Sequence, residues 1–439
     1  MTKDEKYSIA KWAMEHAIQN GAQQARVIIY NNNSSQIEVR NEKIDKLQES
    51  NQSGMRINLY VDNKYSSIST NRISNKEELA KFIEEAIAGT RYLAEDEFRT
   101  LPDPDRYYKG NGPDLKTVDS KFKTVDPQQK VKDAFMLEKE VLGSDDRIIS
   151  VSTSYSDGMS GSVMVASNGF EGDSENSYYS LSASVSVTDG TARPRGGWYE
   201  SSIFSDKLIR KDIGKKALKR ALERLGQAKI GSGKMPMIVE NKMVGQPLRP
   251  LISALNGGSI QQKQSFLIGM KGEKIGSDLM TIVDDPFIVS GRGSRLFDSE
   301  GMATEKRSVV ENGVLKTYYI DTYYAKKLEM EATSGSTTNL VFKPGEKDLE
   351  GLLADIDRGI LVTGFNGGNS NGATGDFSFG IEGFLVEKGK LIQPVAEMNI
   401  TGNFKQLWKD LVAVGSDVDN TRSWQLPSLV FDNVDFSGI

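Results

Sequence analysis

The 439-residue sequence contains no cysteine and a single histidine. The first absence excludes disulfides, thiolate metal ligands and cysteine nucleophiles. The second excludes a multi-histidine metal centre, and no Ser-His-Asp or Cys-His arrangement can be assembled around one distant ring. That histidine, His16, lies in "KWAMEHAIQNG", a helical pattern with Trp12, Ala13, Ala17 and Ile18 on or near the buried side, and reads as a surface or boundary residue. No apolar run is long enough to span a bilayer, and "MTKDEKYSIAKW" lacks the apolar core of a signal peptide. The expectation is a cytoplasmic protein with no membrane partner. Positive charge is also not in excess: the formal net charge is −5, which opposes binding to nucleic acid, where a basic face must displace counterions.

What is present is ordinary for a folded protein, with 38% hydrophobic and 26% charged residues. The length calls for two or three domains. Residues 1–95 read as an N-terminal α+β unit. A helix over about 3–20 is followed by short alternating segments, "ARVIIY", "SQIEVR", "KIDKLQES" and "GMRINLYV", separated by turn signals such as "NNNSS". A second helix is marked by Ser74 with Glu77 as a capping box and by a stripe of Leu79, Phe82, Ile83, Ala86 and Ile87. Residues 96–114 read as a linker, broken by three prolines and two glycines. Residues 115–228 form a middle α+β unit with serine-rich alternating strands and a basic amphipathic helix, whose charged face reads as solvated. Residues 229–439 form the largest unit, mainly strands and turns. The fold class is therefore α+β: antiparallel sheets with flanking helices, an N-terminal α/β-meander region and a larger, mainly β, C-terminal domain.

Most motif-like stretches carry a plain explanation. "KIGSGKM" resembles a phosphate-binding P-loop only superficially. The first required glycine is Ala228, and Lys234 is followed by Met235 where a hydroxyl is needed. The stretch "GFNGGNSNGATGDFSFG", Gly364 to Gly380, holds six glycines but no lysine or arginine, which argues against a nucleotide site. Two acidic clusters remain, Asp284 with Asp285 and Asp298 with Glu300. Paired carboxylates hold hard cations or share a proton, but Asp-Asp-Pro and Asp-Ser-Glu-Gly are also common turn sequences, and the turn reading outweighs the metal one.

The C-terminal half carries a more specific signal. "ALNGGSIQQKQSFLIGMKGEKI", "LMTIVDDPF", "SRLFDSEGMATEKRSVVENGVLKTYYIDTYYAKKL", "NGATGDFSFGIEGFLVEKGKLIQPVAEMNITGNF" and "LVAVGSDV" follow one another between about 245 and 417. Together they resemble the TldD/PmbA family, long called modulators of DNA gyrase, and the N-terminal meander and helix fit it as well. The resemblance implies two branches. TldD-like members are zinc metalloproteases with an H-E-x-x-x-H helix and a late cysteine ligand. PmbA-like members, also called TldE, lack the motif and pair with the active subunit. Carried over without gaps, the first histidine position is Leu248, the glutamate position Arg249 and the second histidine position Ser253. The late cysteine falls near Leu426. Leucine cannot ligate, serine is a poor zinc ligand, and arginine is a fixed cation where a general base is needed.

The resemblance therefore implies a PmbA/TldE-like chain without catalytic residues or bound metal of its own. Zinc is expected only in a TldD-like partner, and the ligand is an unfolded peptide. It also implies that Gly367, Gly368, Asn369, Gly375, Asp376, Phe377 and Ser378 form a wall of a peptide cleft, with a plain set of turns as the equal alternative. A homodimer is expected in isolation. Two other readings stay open: a stand-alone homodimeric peptide-binding protein, and a hydrolase using Asp284, Asp285, Asp298 or Glu300. Direct binding to DNA or gyrase ranks last, given the net charge.

Overall fold

The computed structural model describes residues 1–190 and 192–439. The first half runs α1 (Lys3–Gln19), β1 (Gln24–Arg40), β2 (Lys43–Val61), β3 (Lys64–Thr70), α2 (Lys76–Thr90), α3 (Pro127–Lys139), β4 (Ile148–Ala166), β5 (Glu171–Val187), β6 (Arg195–Ser202) and α4 (Ile213–Leu222). Its strands form one antiparallel sheet in the order β3-β2-β1-β4-β5-β6. Strands from before and after the 96–114 segment thus share a sheet. The joining pair is β1 with β4, in register from Arg26↔Ala166 to Arg40↔Ser152.

The strands are longer than the alternation in the sequence implies. "NNNSS" is not a turn: Asn31–Ser35 continue β1 and pair with β2 on one side and β4 on the other. The reason lies beneath the sheet. Val27 and Ile29 pack in a core with α1 and α2, while Ile37 and Val39 pack in a second core with α3 and α4. The polar residues between them cross the gap between the two helix pairs. There Asn31 accepts a hydrogen bond from Lys6, and buried Ser35 donates to Asp157, which also accepts from the Tyr155 hydroxyl at 3.0 Å and pairs with Lys130 at 2.6 Å.

The opposite sheet face is polar throughout its middle. Successive outward positions of β4 carry Ser154, Ser156, Ser160 and Ser162, and those of β5 carry Ser174, Asn176, Ser180 and Ser182. Some pair directly across the strands, as Ser154 with Ser182 and Ser162 with Ser174, each at 3.0 Å.

The second half comprises β7 (Gly233–Val239), α5 (Gly245–Ala254), α6 (Gly257–Gln261), β8 (Ile282–Asp284), β9 (Arg307–Glu311), β10 (Val314–Leu315), α7 (Thr322–Leu328), β11 (Leu340–Phe342), α8 (Leu349–Ala354), β12 (Arg358–Ser370), β13 (Asp376–Glu387), β14 (Lys390–Asn403), α9 (Phe404–Leu407), β15 (Leu411–Val414), β16 (Trp424–Gln425) and β17 (Leu429–Ser437). One sheet runs β14-β13-β12-β7-β17-β15, and an added β14–β17 pairing closes five of its strands into a ring. A smaller sheet runs β10-β9-β8-β11-β16. Both contribute to one large core that also takes Leu248, Leu251 and Leu255 from around α5. The architecture is the expected α+β class, antiparallel except for the β7–β12 and β11–β16 pairs.

The helix starts follow local chemistry. Thr2 and Glu5 make the two reciprocal bonds of a capping box ahead of α1. At α2 the cap is Asn75, one residue later than the Ser74 that the spacing to Glu77 suggested. The Asn75 side chain accepts from the amides of both Glu77 and Glu78, at 3.0 and 3.3 Å, and so takes the role. Replacing Asn75 by Ala is expected to cost about 1 kcal/mol. Ser74→Ala should stay within about 0.5 kcal/mol of wild type. Thermal unfolding of the two variants side by side checks the assignment, and equal losses would overturn it.

Candidate functional site

Helix α5 is held by its buried residues, and these divide the three positions carried over by resemblance. Leu248 is fully buried in the C-terminal core, whereas Arg249 and Ser253 lie one turn apart on the exposed face. The Arg249 guanidinium sits 5.5 Å from the centre of the Trp424 ring. Trp424 opens β16, two residues before buried Leu426. The helix and the late segment do meet, but what they bring together is a cation, an indole, a hydroxyl and apolar side chains. Such donors do not fit zinc, which takes imidazole, thiolate or carboxylate. Among the described residues there is no group of three or more His, Cys, Asp or Glu positioned for a metal.

From Trp424 the contacts lead into a cleft. Its indole nitrogen lies 3.4 Å from the Thr337 hydroxyl. The Thr337 carbonyl accepts from Arg295 at 2.9 Å, and the Ser336 carbonyl and hydroxyl accept from the same nitrogen. Arg295 closes the segment "GRGSR", Gly291–Arg295, which packs flat on Thr338 and Asn339. A Cβ at Gly293 would meet the Thr338 carbonyl at 2.4 Å, so only glycine fits. Between this loop and the polar sheet face lies a cavity of about 680 Å³. Arg292 projects over the Tyr178 ring of β5 at 5.8 Å. Arg249, Arg292 and Arg295 form no salt bridge among the described residues.

The four acidic residues separate. Asp284 is fully buried. It accepts from the Thr338 amide at 2.8 Å, from the Thr338 hydroxyl and from the Tyr319 hydroxyl, with Arg307 at 4.0 Å. Burial pushes its carboxyl above the ordinary range against the pull of those bonds. Asp285 turns outward, accepting from the Phe287 amide at 3.0 Å and pairing with Lys306 at 2.7 Å. Asp298 accepts from the amides of Glu300 and Met302, while its second oxygen faces no partner among the described residues. It lines the 680 Å³ cavity. Glu300 accepts from the amide and hydroxyl of Thr322, both at 2.8 Å, and lines a separate cavity of about 240 Å³ with Arg26 and Arg99. Burial raises both Asp298 and Glu300.

The glycine-rich stretch is the β12–β13 hairpin. Its turn bonds itself: the amides of Ala373 and Thr374 point to the Asn371 side chain, and Gly375, at φ +86°, bonds the Asn371 carbonyl. Gly367 and Gly368 lie in a bulge of β12. Phe377 is buried against Phe379 and Phe404, and Asp376 accepts from Thr374 and Asn403. Asn369, Asp376, Phe377 and Ser378 line an open groove of about 600 Å³ that shares no lining residue with the 680 Å³ cavity. His16 lies elsewhere, stacked on Trp12 and 2.9 Å from Glu84.

Sequence reasoning did not single out Arg292, Arg295 or Trp424. "GRGSR" was the visible signal for the first two, while the placing of Trp424 under Arg249 depends on the tertiary fold alone.

Comparison with known proteins follows the same outline. Residues 25–89, 120–225 and 232–438 match the family models described as PmbA/TldA metallopeptidase domain 1, central domain and C-terminal domain. A "Metalloprotease PmbA homolog" from Haemophilus influenzae is 31% identical over 432 residues, covering 97% of this chain and 95% of that protein. A crystal structure from Bacteroides thetaiotaomicron, provisionally named a modulator of DNA gyrase, superposes with a TM-score of 0.98 at 51% identity and full coverage of both chains. TldE from Thermococcus kodakarensis superposes at 0.86 over 98% of this chain and 100% of that one, and at 21% identity shows the shared fold.

Removing Asp284 strands Arg307 inside the protein. Asp284→Ala is expected to cost about 3–5 kcal/mol, against less than about 1 kcal/mol for Asp285→Ala, whose partner Lys306 is exposed. Thermal unfolding measures both. An unchanged midpoint for Asp284→Ala would remove the structural role assigned to it.

Proposed function

Since the chain belongs to the PmbA/TldA metallopeptidase family, we propose that it acts as the non-catalytic subunit of a zinc-protease pair, holding unfolded peptide for a TldD-like partner that carries the metal. The observation that supports this reading is the make-up of α5 and the segment it meets. Leu248, Arg249, Ser253 and Leu426 stand where the resemblance puts the ligands and base of the active branch. Arginine in place of a general base cannot take a proton from metal-bound water, and its charge repels a divalent ion at short range.

The peptide-holding half of the proposal draws on the cleft. Its sheet wall offers hydroxyls and amides with few long charged side chains, which suits contact with backbone whatever the sequence. The loop wall adds Leu296 and Phe297 for side chains. The "GGNSNGATGDFSFG" hairpin is a second candidate surface for the same peptide. Asp284 and Asp285 are engaged with neighbouring groups of the fold, so the acid-based hydrolase gains no support from their geometry.

The test is recovery of the tagged full chain from its own cells, followed by mass spectrometry and metal analysis. A chain bearing H-E-x-x-x-H should co-purify in near-equal amount, with zinc tracking that partner. Recovery of this chain alone would favour a stand-alone homodimeric binder. Zinc held stoichiometrically by the isolated chain at α5 would sink the proposal.

A further inference from the structure

We infer that the cleft between the "GRGSR" loop and the polar sheet binds an extended peptide in one direction, with its C-terminal carboxylate at Arg292. This deepens the peptide-holding role proposed above and rests on it. The loop tracks β5 along its length. Arg292 lies over Tyr178 at one end, and at the other Phe297 would meet a Cβ placed on Gly172 at 3.0 Å. Those contacts are six residue steps apart on the strand, a span of about 20 Å at 3.3–3.4 Å per residue. That length suits a short extended segment lying along the strand.

The two ends of the cleft differ in charge. Arg292 is exposed and, like Arg295 behind it and Arg249 beyond Trp424, pairs with no carboxylate among the described residues. Arg295 spends one nitrogen on Ser336 and Thr337, and its Nε finds no partner among the described residues. Toward the Gly172 end the cleft is lined by no such cation among the described residues: Asp298 keeps its free oxygen buried there, and the side chains of Asp173 and Glu175 turn to the opposite sheet face, toward α1. Asp173 is already matched by Lys3 at 2.7 Å and by the Tyr7 hydroxyl. A peptide carries a positive amino end and a negative carboxyl end, so an unpaired cation at one end of the cleft favours one orientation over its reverse. Guanidinium is also the group best shaped to hold a carboxylate by two parallel bonds. Across the strands from Gly172, Met164 and Ile28 give side chains an apolar surface, and between the ends Ser162 and Ser174 offer hydroxyls to the backbone.

The experiment is isothermal titration of the full chain with unlabelled hexapeptides of neutral composition, each made as the free acid and as the C-terminal amide. The acid should bind about tenfold tighter than the amide, the weight of one charge-assisted pair. Arg292→Gln should erase that difference and leave the amide affinity in place, while Arg292→Lys keeps part of it. Equal affinity of acid and amide for the wild-type chain overturns the inference and leaves the peptide-holding role standing. Absence of binding by either form overturns that role as well. Arg292 is exposed, so its variants are expected to fold, and circular dichroism confirms that before titration.

Discussion

The register between β1 and β4 is the constraint on which the amino-terminal half depends. These strands come from parts of the chain more than a hundred residues apart, and their pairing from Arg26↔Ala166 to Arg40↔Ser152 makes one sheet of six strands. Side chains alternate across a sheet with a period of two, so a slip of one residue would exchange its faces. In the observed register Val27, Ile29, Val163 and Val165 meet α1 and α2, while Ile37, Val39, Val151 and Tyr155 meet the second helix pair. The same alternation sends Ser154, Ser156, Ser160 and Ser162 to the other side. The helical cores and the polar wall of the cleft are two consequences of one pairing, and neither can be altered without the other.

Electrostatics then distinguish this cleft from a metal centre. A divalent ion needs a converging set of neutral or anionic donors, and the carboxylates nearest the cleft are dispersed or occupied. Asp284 is enclosed by Thr338, Tyr319 and Arg307, and Glu300 faces a different cavity. What converges instead is arginine. Cations that lack a carboxylate partner attract anionic groups, and for the proposed peptide ligand those groups are its carboxyl end and acidic side chains. The unpaired cations of the cleft and the proposed loss of catalysis thus have one origin in the residues of the loop and of α5.

Much of this was legible in the chain. The α+β class follows from alternating segments interrupted by amphipathic helices, and the ordered C-terminal motifs point to the family. Other features were hidden for identifiable reasons. Asn31–Ser35 look like a turn because they cross between two separate cores, where burial is polar rather than apolar. Asn75 displaces Ser74 as a cap because its side chain reaches two amides. Carrying the metalloprotease positions onto α5 identifies which residues stand there, but not that Leu248 points inward while Arg249 points out. Helical spacing places neighbours about 100° apart, and only the packing decides which of them faces the core. Arg292 gave little sign, since an arginine among glycines is common in exposed loops.

The persistence of α5 without ligands follows from its packing. Val244, Leu248, Leu251 and Leu255 are each essentially buried, so the helix is fixed by the same core that closes the ring of strands. On its outer face Arg249 meets Trp424, a contact that needs no metal. Beyond the helix Asn256 caps α6, and Phe266 bonds the Gly372 carbonyl at the tip of the glycine-rich hairpin. One continuous stretch therefore links α5 to the hairpin, and both are held by hydrophobic burial and backbone bonds. A fold secured in this way can lose the donors of a catalytic zinc and keep the surfaces around it, which is the physical condition a silent subunit has to meet.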